Sequence, residues 1–197
     1  MQTTETATTT GKFRATLAAS VASSLIGLIE PYCLPGRCVV AGSLRRGAAE
    51  VSDVEICYVS RVGDVNRLGE MFPSEGQLAD VFINELLVGK LAQRLSEDDK
   101  PTWGPLNKLA LHRASGLPVD LFREPDPADW WRTLVIRTGP KDFNLKLIAG
   151  AKANGFNLHA YAAGLTRIDN NESVPVESEQ HFLELCGFPW ISPEDRR

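Results

Sequence analysis

Val39-Val40-Ala41-Gly42-Ser43-Leu44-Arg45-Arg46-Gly47 is followed within a few residues by Ser52-Asp53-Val54-Glu55-Ile56. An apolar strand runs into a Gly-Ser turn, a short basic segment follows, and a second strand carries two acids two residues apart. Residues i and i+2 of a strand share a face, so Asp53 and Glu55 point one way and Val54 and Ile56 the other. Two carboxylates on one face repel each other, and a divalent cation is the usual reason to keep them together. The Gly42-Ser43 backbone, the Ser43 hydroxyl and the Arg45 and Arg46 guanidinium forks suit phosphate. A phosphate cradle beside a carboxylate pair is what phosphoryl or nucleotidyl transfer requires.

The surroundings are those of an ordinary globular chain. Of 197 residues, 43% are apolar and 23% charged, which argues against wholesale disorder and fits one domain or two small ones. The net charge of −4 provides no global attraction to nucleic acid, so a phosphate-binding surface has to be a local patch. The four cysteines lack Cys-x-x-Cys spacing and the three histidines stand apart, which argues against zinc and for free thiols in a reducing cytosol. A cytoplasmic protein is expected, without a signal peptide and with no apolar run long enough to span a membrane.

Residues 1–11, Thr-rich and polar, read as a disordered tail. From Lys12 to Ile29, Phe13, Leu17, Val21, Leu25 and Ile29 recur at every fourth position and predict an amphipathic packing helix. Pro31 to Gly36 should end it, with Arg37 leading into the first strand. The acid-bearing strand is expected over Val54 to Val59, a loop or helical turn over Arg61 to Pro73, a helix over Gln77 to Val88, and a charged loop over Ser96 to Pro101. Lys108 to His112 and Leu117 to Phe122 read as a hairpin turning at Ala114-Ser115-Gly116. Asp120 lies inside its second strand, a lone acid amid apolar residues. Taken alone it is a strand-end acid as readily as a ligand; beside Asp53 and Glu55, a third metal-site carboxylate is the better reading.

Asp126-Pro127 starts a helix, with Asp126 as cap and Pro127 at its first position. That helix holds Trp130 and Trp131 and ends near Thr138-Gly139. A second runs from about Pro140 to Asn154-Gly155, with Phe143, Leu147, Ile148 and Ala151 inward. Between Trp130 and Gly155 the charges sum to +4, either a solvated face or a surface turned to phosphates. Short strands follow over Asn157 to Tyr161 and Gly164 to Ile168, then a helix capped by Ser178.

Gly42-Ser43 followed by Asp53-Val54-Glu55 resembles the nucleotidyltransferase signature, and with Arg45-Arg46-Gly47 it resembles the palm of the family X (polymerase beta-like) DNA polymerases. Two further blocks extend the resemblance. Arg137-Thr138-Gly139-Pro140-Lys141-Asp142-Phe143-Asn144 looks like the segment that sits against the incoming nucleotide in that family. Val174-Pro175-Val176 through Phe182-Leu183, then Gly187-Phe188-Pro189-Trp190-Ile191-Ser192-Pro193-Glu194-Asp195-Arg196, looks like its closing subdomain. The resemblance implies an α+β fold: a nucleotidyltransferase palm over residues 12–125, with a mixed β-sheet and helices on one face, and a small C-terminal α/β closing subdomain over 126–197. It implies a metal-dependent nucleotidyltransferase in which Asp53, Glu55 and Asp120 hold two Mg²⁺ or Mn²⁺ ions. Asp120 would hold the ion that activates a primer 3′-hydroxyl. Gly42, Ser43, Arg46, Thr138, Gly139 and Asn144 would contact the nucleoside triphosphate, while Arg45 is structural or strand-facing. A DNA primer-template is the implied partner of a monomeric enzyme of prokaryotic or viral type, with a role in DNA repair.

The sequence departs from the family at several places. Glu55 stands where most members have Asp, Ile136-Arg137 replaces a common Tyr-Phe pair, and Ile148 lies where many place an arginine against the template strand. The lyase domain and helix-hairpin-helix segments of larger members have no room in this chain. Two other readings therefore stand beside a minimal DNA polymerase: a nucleotidyltransferase acting on an RNA end, small molecule or protein, and a non-catalytic nucleotide-binding module.

Overall fold

The computed structural model describes residues 11–65, 74–95, 98, 100–159 and 164–196. Residues 1–10 of the expected N-terminal tail, the segment over 66–73, part of the charged loop over 96–101, Tyr161 and Arg197 lie outside the described residues. In chain order the elements are β1 (Phe13–Arg14), α1 (Ala15–Ile29), β2 (Cys33–Val40), α2 (Gly42–Arg45), β3 (Glu50–Val51) and β4 (Val54–Ser60). β5 (Val62–Val65), β6 (Ser74–Gln77), α3 (Leu78–Leu86), β7 (Leu91–Gln93), β8 (Asn107–His112) and β9 (Pro118–Arg123) follow. The remainder comprises α4 (Trp130–Thr138), α5 (Lys141–Ala153), β10 (Phe156–Leu158), β11 (Leu165–Arg167) and α6 (Glu179–Leu185).

Five strands form one mixed sheet in the order β2-β4-β9-β8-β7. β4 and β9 run parallel, and the other neighbours are antiparallel. The alternation of β4 divides the molecule. Val54, Ile56 and Tyr58 point into a core built with Ala18, Val21, Leu25 and Ile29 of α1 and Ala79, Ile83 and Leu86 of α3. Cys57 and Val59 point to the opposite face, where Trp130 and Leu134 of α4 cover them together with Phe122 of β9. A third core, centred on Val135, Phe143, Leu147, Phe182 and Leu183, lies within the C-terminal segment. The expected α+β architecture with a mixed sheet is the one observed.

Several local expectations are corrected. Val62–Val65, inside the span expected as loop or helical turn, forms β5 and pairs with Ser74–Gln77, and Leu17, expected on the packing face of the first helix, is 42% exposed. The first helix begins at Ala15, because Phe13 and Arg14 are drawn into pairing with Val51 and Glu50. The first strand begins at Cys33, ahead of Pro35-Gly36, with its register shifted between Cys33 and Cys38. A proline without an N–H is tolerated there because β2 is an edge strand. Ile148, expected inward, is 45% exposed, while Phe143, Leu147 and Ala151 face the core as expected. Finally, Ala15–Tyr32 is long and apolar enough, by length and composition, to cross a membrane. Here one side of that helix is packed onto the sheet.

Candidate active site

The parallel register of β4 and β9 sets Glu55 directly beside Asp120. Asp53 precedes β4 by one residue and shares the face of Glu55. This is also the face covered by α4, but α4 closes over Cys57, Val59 and Phe122 and leaves all three acids partly exposed. The hairpin that presents Asp120 is the expected one, turning through Gly116 at φ +67°.

Gly42 forms the floor beneath Glu55. Its φ of +63° lies in the left-handed region, and a Cβ at this position would overlap the Glu55 carboxylate. The Gly-Ser turn is therefore held by both conformation and space: only a glycine lets Glu55 rest against the backbone that opens α2. Ser43 follows, half-buried, in the first turn of that short helix.

The electrostatics are those of crowded anions. Burial, reinforced by the charges of Asp53 and Asp120, pushes the Glu55 carboxyl up to about 7. Burial raises Asp120 to about 6, against the opposing pull of Arg94. Asp53 is raised by burial too, again with Arg94 pulling down. Arg94 follows β7 and places Nη2 2.9 Å from Asp120 Oδ1, an ion pair by distance. That buried oxygen has no aligned hydrogen bond among the described residues.

The remaining sequence candidates fall into two groups. Arg46 donates to the Thr138 carbonyl, and Gly139 packs against its guanidinium, so these three residues meet across the α2 and α4 ends. Thr138 itself is buried; its hydroxyl donates to the Leu134 carbonyl at 2.6 Å and accepts from Arg45 at 2.8 Å. Arg45 reaches on to Glu179 of α6, which also binds Arg196 at 2.7 Å. Arg45 is thus structural, the first of its two expected roles. The Asn144 Nδ2 donates to the Ile136 carbonyl at 2.7 Å, and its Oδ1 is buried with no hydrogen bond among the described residues.

Sequence reasoning missed Arg94, and it placed Arg137 only within the nucleotide-facing segment and Arg132 only in the basic face. Arg94 carries no local signal, because only the sheet brings it to Asp120. Arg137 stacks on Phe122, 3.8 Å from the ring centre, and its charge lowers the Glu55 and Asp120 carboxyls. Arg132, counted above with the basic face, is instead buried between Glu124 at 3.2 Å and Asp129 at 3.1 Å. The outward charge of this region is correspondingly smaller.

Three carboxylates on one half-buried patch, two of them pushed well above the usual carboxylate range, form a hard oxygen donor set that fits Mg²⁺ or Mn²⁺. Among the described residues, no three acidic, histidine or cysteine side chains converge into a ready-made cage. The donors share a surface, and a cation would have to draw them together.

Comparison with known proteins gives matches of three kinds. Residues 133–197 match the family model of the DNA polymerase beta thumb. DNA polymerase lambda from Rattus norvegicus is 24% identical over 172 residues, an alignment covering 81% of this chain and 28% of that protein. The chain thus spans about a quarter of the length of that curated relative. In fold, the chain matches the crystal structure of Leishmania infantum polymerase beta in a ternary P/T complex with a TM-score of 0.69. That match has 19% identity and covers 95% of this chain and 77% of the other.

Proposed function

We propose that this chain, which is family X polymerase-like in its C-terminal sequence and in its whole fold, is a metal-dependent nucleotidyltransferase that extends a DNA 3′-hydroxyl. The observation that carries the reading is the pairing of Glu55 with Asp120 across parallel strands, beside the Gly42-Ser43 turn. In this reading residues 12–125 act as palm and 126–197 as closing subdomain.

Asp53, Glu55 and Asp120 would hold one or two divalent ions. Such an ion supplies charge neutralisation at the phosphates and lowers the pKa of the attacking hydroxyl. The chain's own groups do the rest. The Ser43 hydroxyl and the Gly42-Ser43 backbone offer donors to the triphosphate, and Arg46 adds positive charge where pyrophosphate departs. Because Arg46 is tied to the Thr138 carbonyl, the phosphate cradle is coupled to the turn that opens α5. Arg137 lies close enough to influence Glu55 and contributes positive charge near the transferred phosphoryl group. Asn144, in the first turns of α5, would face the sugar or base.

The test is incorporation of each labelled dNTP and NTP onto a recessed or gapped duplex with Mg²⁺ or Mn²⁺, beside an Asp120→Asn control. Templated extension lost in the control is the expected result. Nucleotide turnover without templated extension would transfer the reading to an acceptor other than DNA. No turnover with either metal would overturn it.

A further inference from the structure

The carboxylate patch has a counter-ion supplied by the chain itself. The Arg94 N–H donates to the Leu109 carbonyl at 2.9 Å, and Leu109 is the register partner of Asp120, which in turn partners Glu55. Arg94 therefore stands in one transverse row with two of the three acids and reaches across β8 to Asp120. The pair is sheltered: the Arg94 side chain is 30% exposed and that of Asp120 14%. The field of Arg94 extends to Asp53 as well. Arg46 and Arg137 also act on Glu55 by their charge, and Arg137 on Asp120, while Arg46 donates to the Thr138 carbonyl and Arg137 lies over the Phe122 ring.

A guanidinium at Asp120 Oδ1 and a divalent cation on the same carboxylate repel each other at short range. Arg94 has open solvent on one side and a long, flexible stem on which to withdraw, whereas Asp120 is fixed by β9. We propose that Arg94 is the resident counter-ion of the active site, neutralising Asp120 in the metal-free protein and yielding its place when a divalent cation enters. Its charge then sets how much free cation is needed to load the enzyme. The inference rests on the metal-site reading given under the proposed function.

The experiment is Mn²⁺ binding followed by electron paramagnetic resonance of the free ion, without nucleotide or DNA. It compares the wild-type protein with the Arg94→Gln, Arg94→Met, Arg94→Lys and Asp120→Asn variants. Thermal unfolding with and without Mn²⁺ is recorded for each. The Gln and Met variants should bind Mn²⁺ about tenfold more tightly than wild type, the removal of one nearby positive charge acting on a divalent ion. Arg94→Lys should stay near the wild-type value. Without metal the Gln and Met variants should melt below the wild-type protein, and Mn²⁺ should raise their melting temperature by more. Equal or weaker Mn²⁺ binding in both variants, with wild-type binding still lost in Asp120→Asn, would overturn the role of Arg94 alone. Mn²⁺ binding that is absent from wild type, or unchanged in Asp120→Asn, would overturn the metal site and this inference with it.

Discussion

Gly42 and Glu55 lie in direct contact, the glycine Cα surface serving as the seat of the Glu55 carboxylate. A methyl group there would displace the carboxylate and force a left-handed backbone on a residue that resists it. Gly42→Ala should therefore lower nucleotide incorporation by about 100-fold, the scale associated with displacing a reacting group by an ångström. Single-turnover incorporation beside a circular dichroism melt checks it; full activity in a well-folded variant would show that Glu55 need not sit there.

The raised carboxyls of Glu55 and Asp120 give a pH dependence of defined sign. A carboxyl whose folded pKa lies above its unfolded value binds more protons in the folded state, so stability falls as pH rises between the two. For Glu55 that window runs from 4.5 to about 7, and for Asp120 from 3.8 to about 6. The metal-free protein should lose melting temperature from pH 5 to pH 7.5, and Glu55→Gln should flatten the slope. Saturating Mg²⁺ should restore stability at the upper end, with cation affinity rising over the same range as the protons leave. Melting curves in chelator and in Mg²⁺ across this range are the measurement.

Glu179 behaves in the opposite way. Burial pushes its carboxyl up, but hydrogen bonds from Arg45 and Arg196 outweigh burial and hold it below 4.5. Its folded pKa is depressed, so its contribution is complete above pH 4.5 and is lost as pH falls through the folded value. Glu179→Ala strands two guanidinium groups, one of them on the fully enclosed Arg196 side chain. It should cost about 3 kcal/mol near neutral pH. Urea unfolding at pH 7 and pH 3.5 tests both halves: the gap between wild type and variant should narrow in acid.

Asp80 anchors α3 to the underside of the sheet. One of its oxygens accepts from Tyr58 at 2.6 Å and from Lys108 at 2.8 Å, and the other pairs with Arg123 at 3.0 Å. Lys108 is only 3% exposed, so Asp80→Asn leaves a buried ammonium without its carboxylate. The expected loss is about 3 kcal/mol in chemical denaturation. Mn²⁺ affinity should stay near wild type, because this network lies on the opposite face from Asp120.

What the sequence made readable was what depends on near neighbours. The i, i+2 spacing of Asp53 and Glu55, the Gly-Ser turn and the Gly116 hairpin all encode geometry within a few residues. Placing Asp120 beside Glu55 required pairing two segments more than sixty residues apart in sequence. The resemblance to a known family provided that pairing; the pattern alone left it open. Pro35-Gly36 read as a terminator because their tolerance depends on β2 lying at the sheet edge, a property of topology. Ile148 read as core because helical spacing marks a face without saying how wide its cover is. Arg132 read as surface charge because nothing local announces Glu124 as its partner. Arg94 was invisible for the same reason: its meaning lies two strands away.

The small cluster on the α4 side of the sheet has a consequence for how the chain can be divided. Ala41, Cys57, Val59 and Phe122 come from one side of residue 125, and Trp130 and Leu134 from the other. Arg37 adds to the join, lying over both Trp130 and Trp131. A fragment ending at residue 125 would present a bare apolar strip to water, and one beginning at 126 would carry an uncovered tryptophan. The proposed function gives the two halves different tasks, yet they share one seam of folding, so they should melt in a single transition and be recovered intact only as one polypeptide.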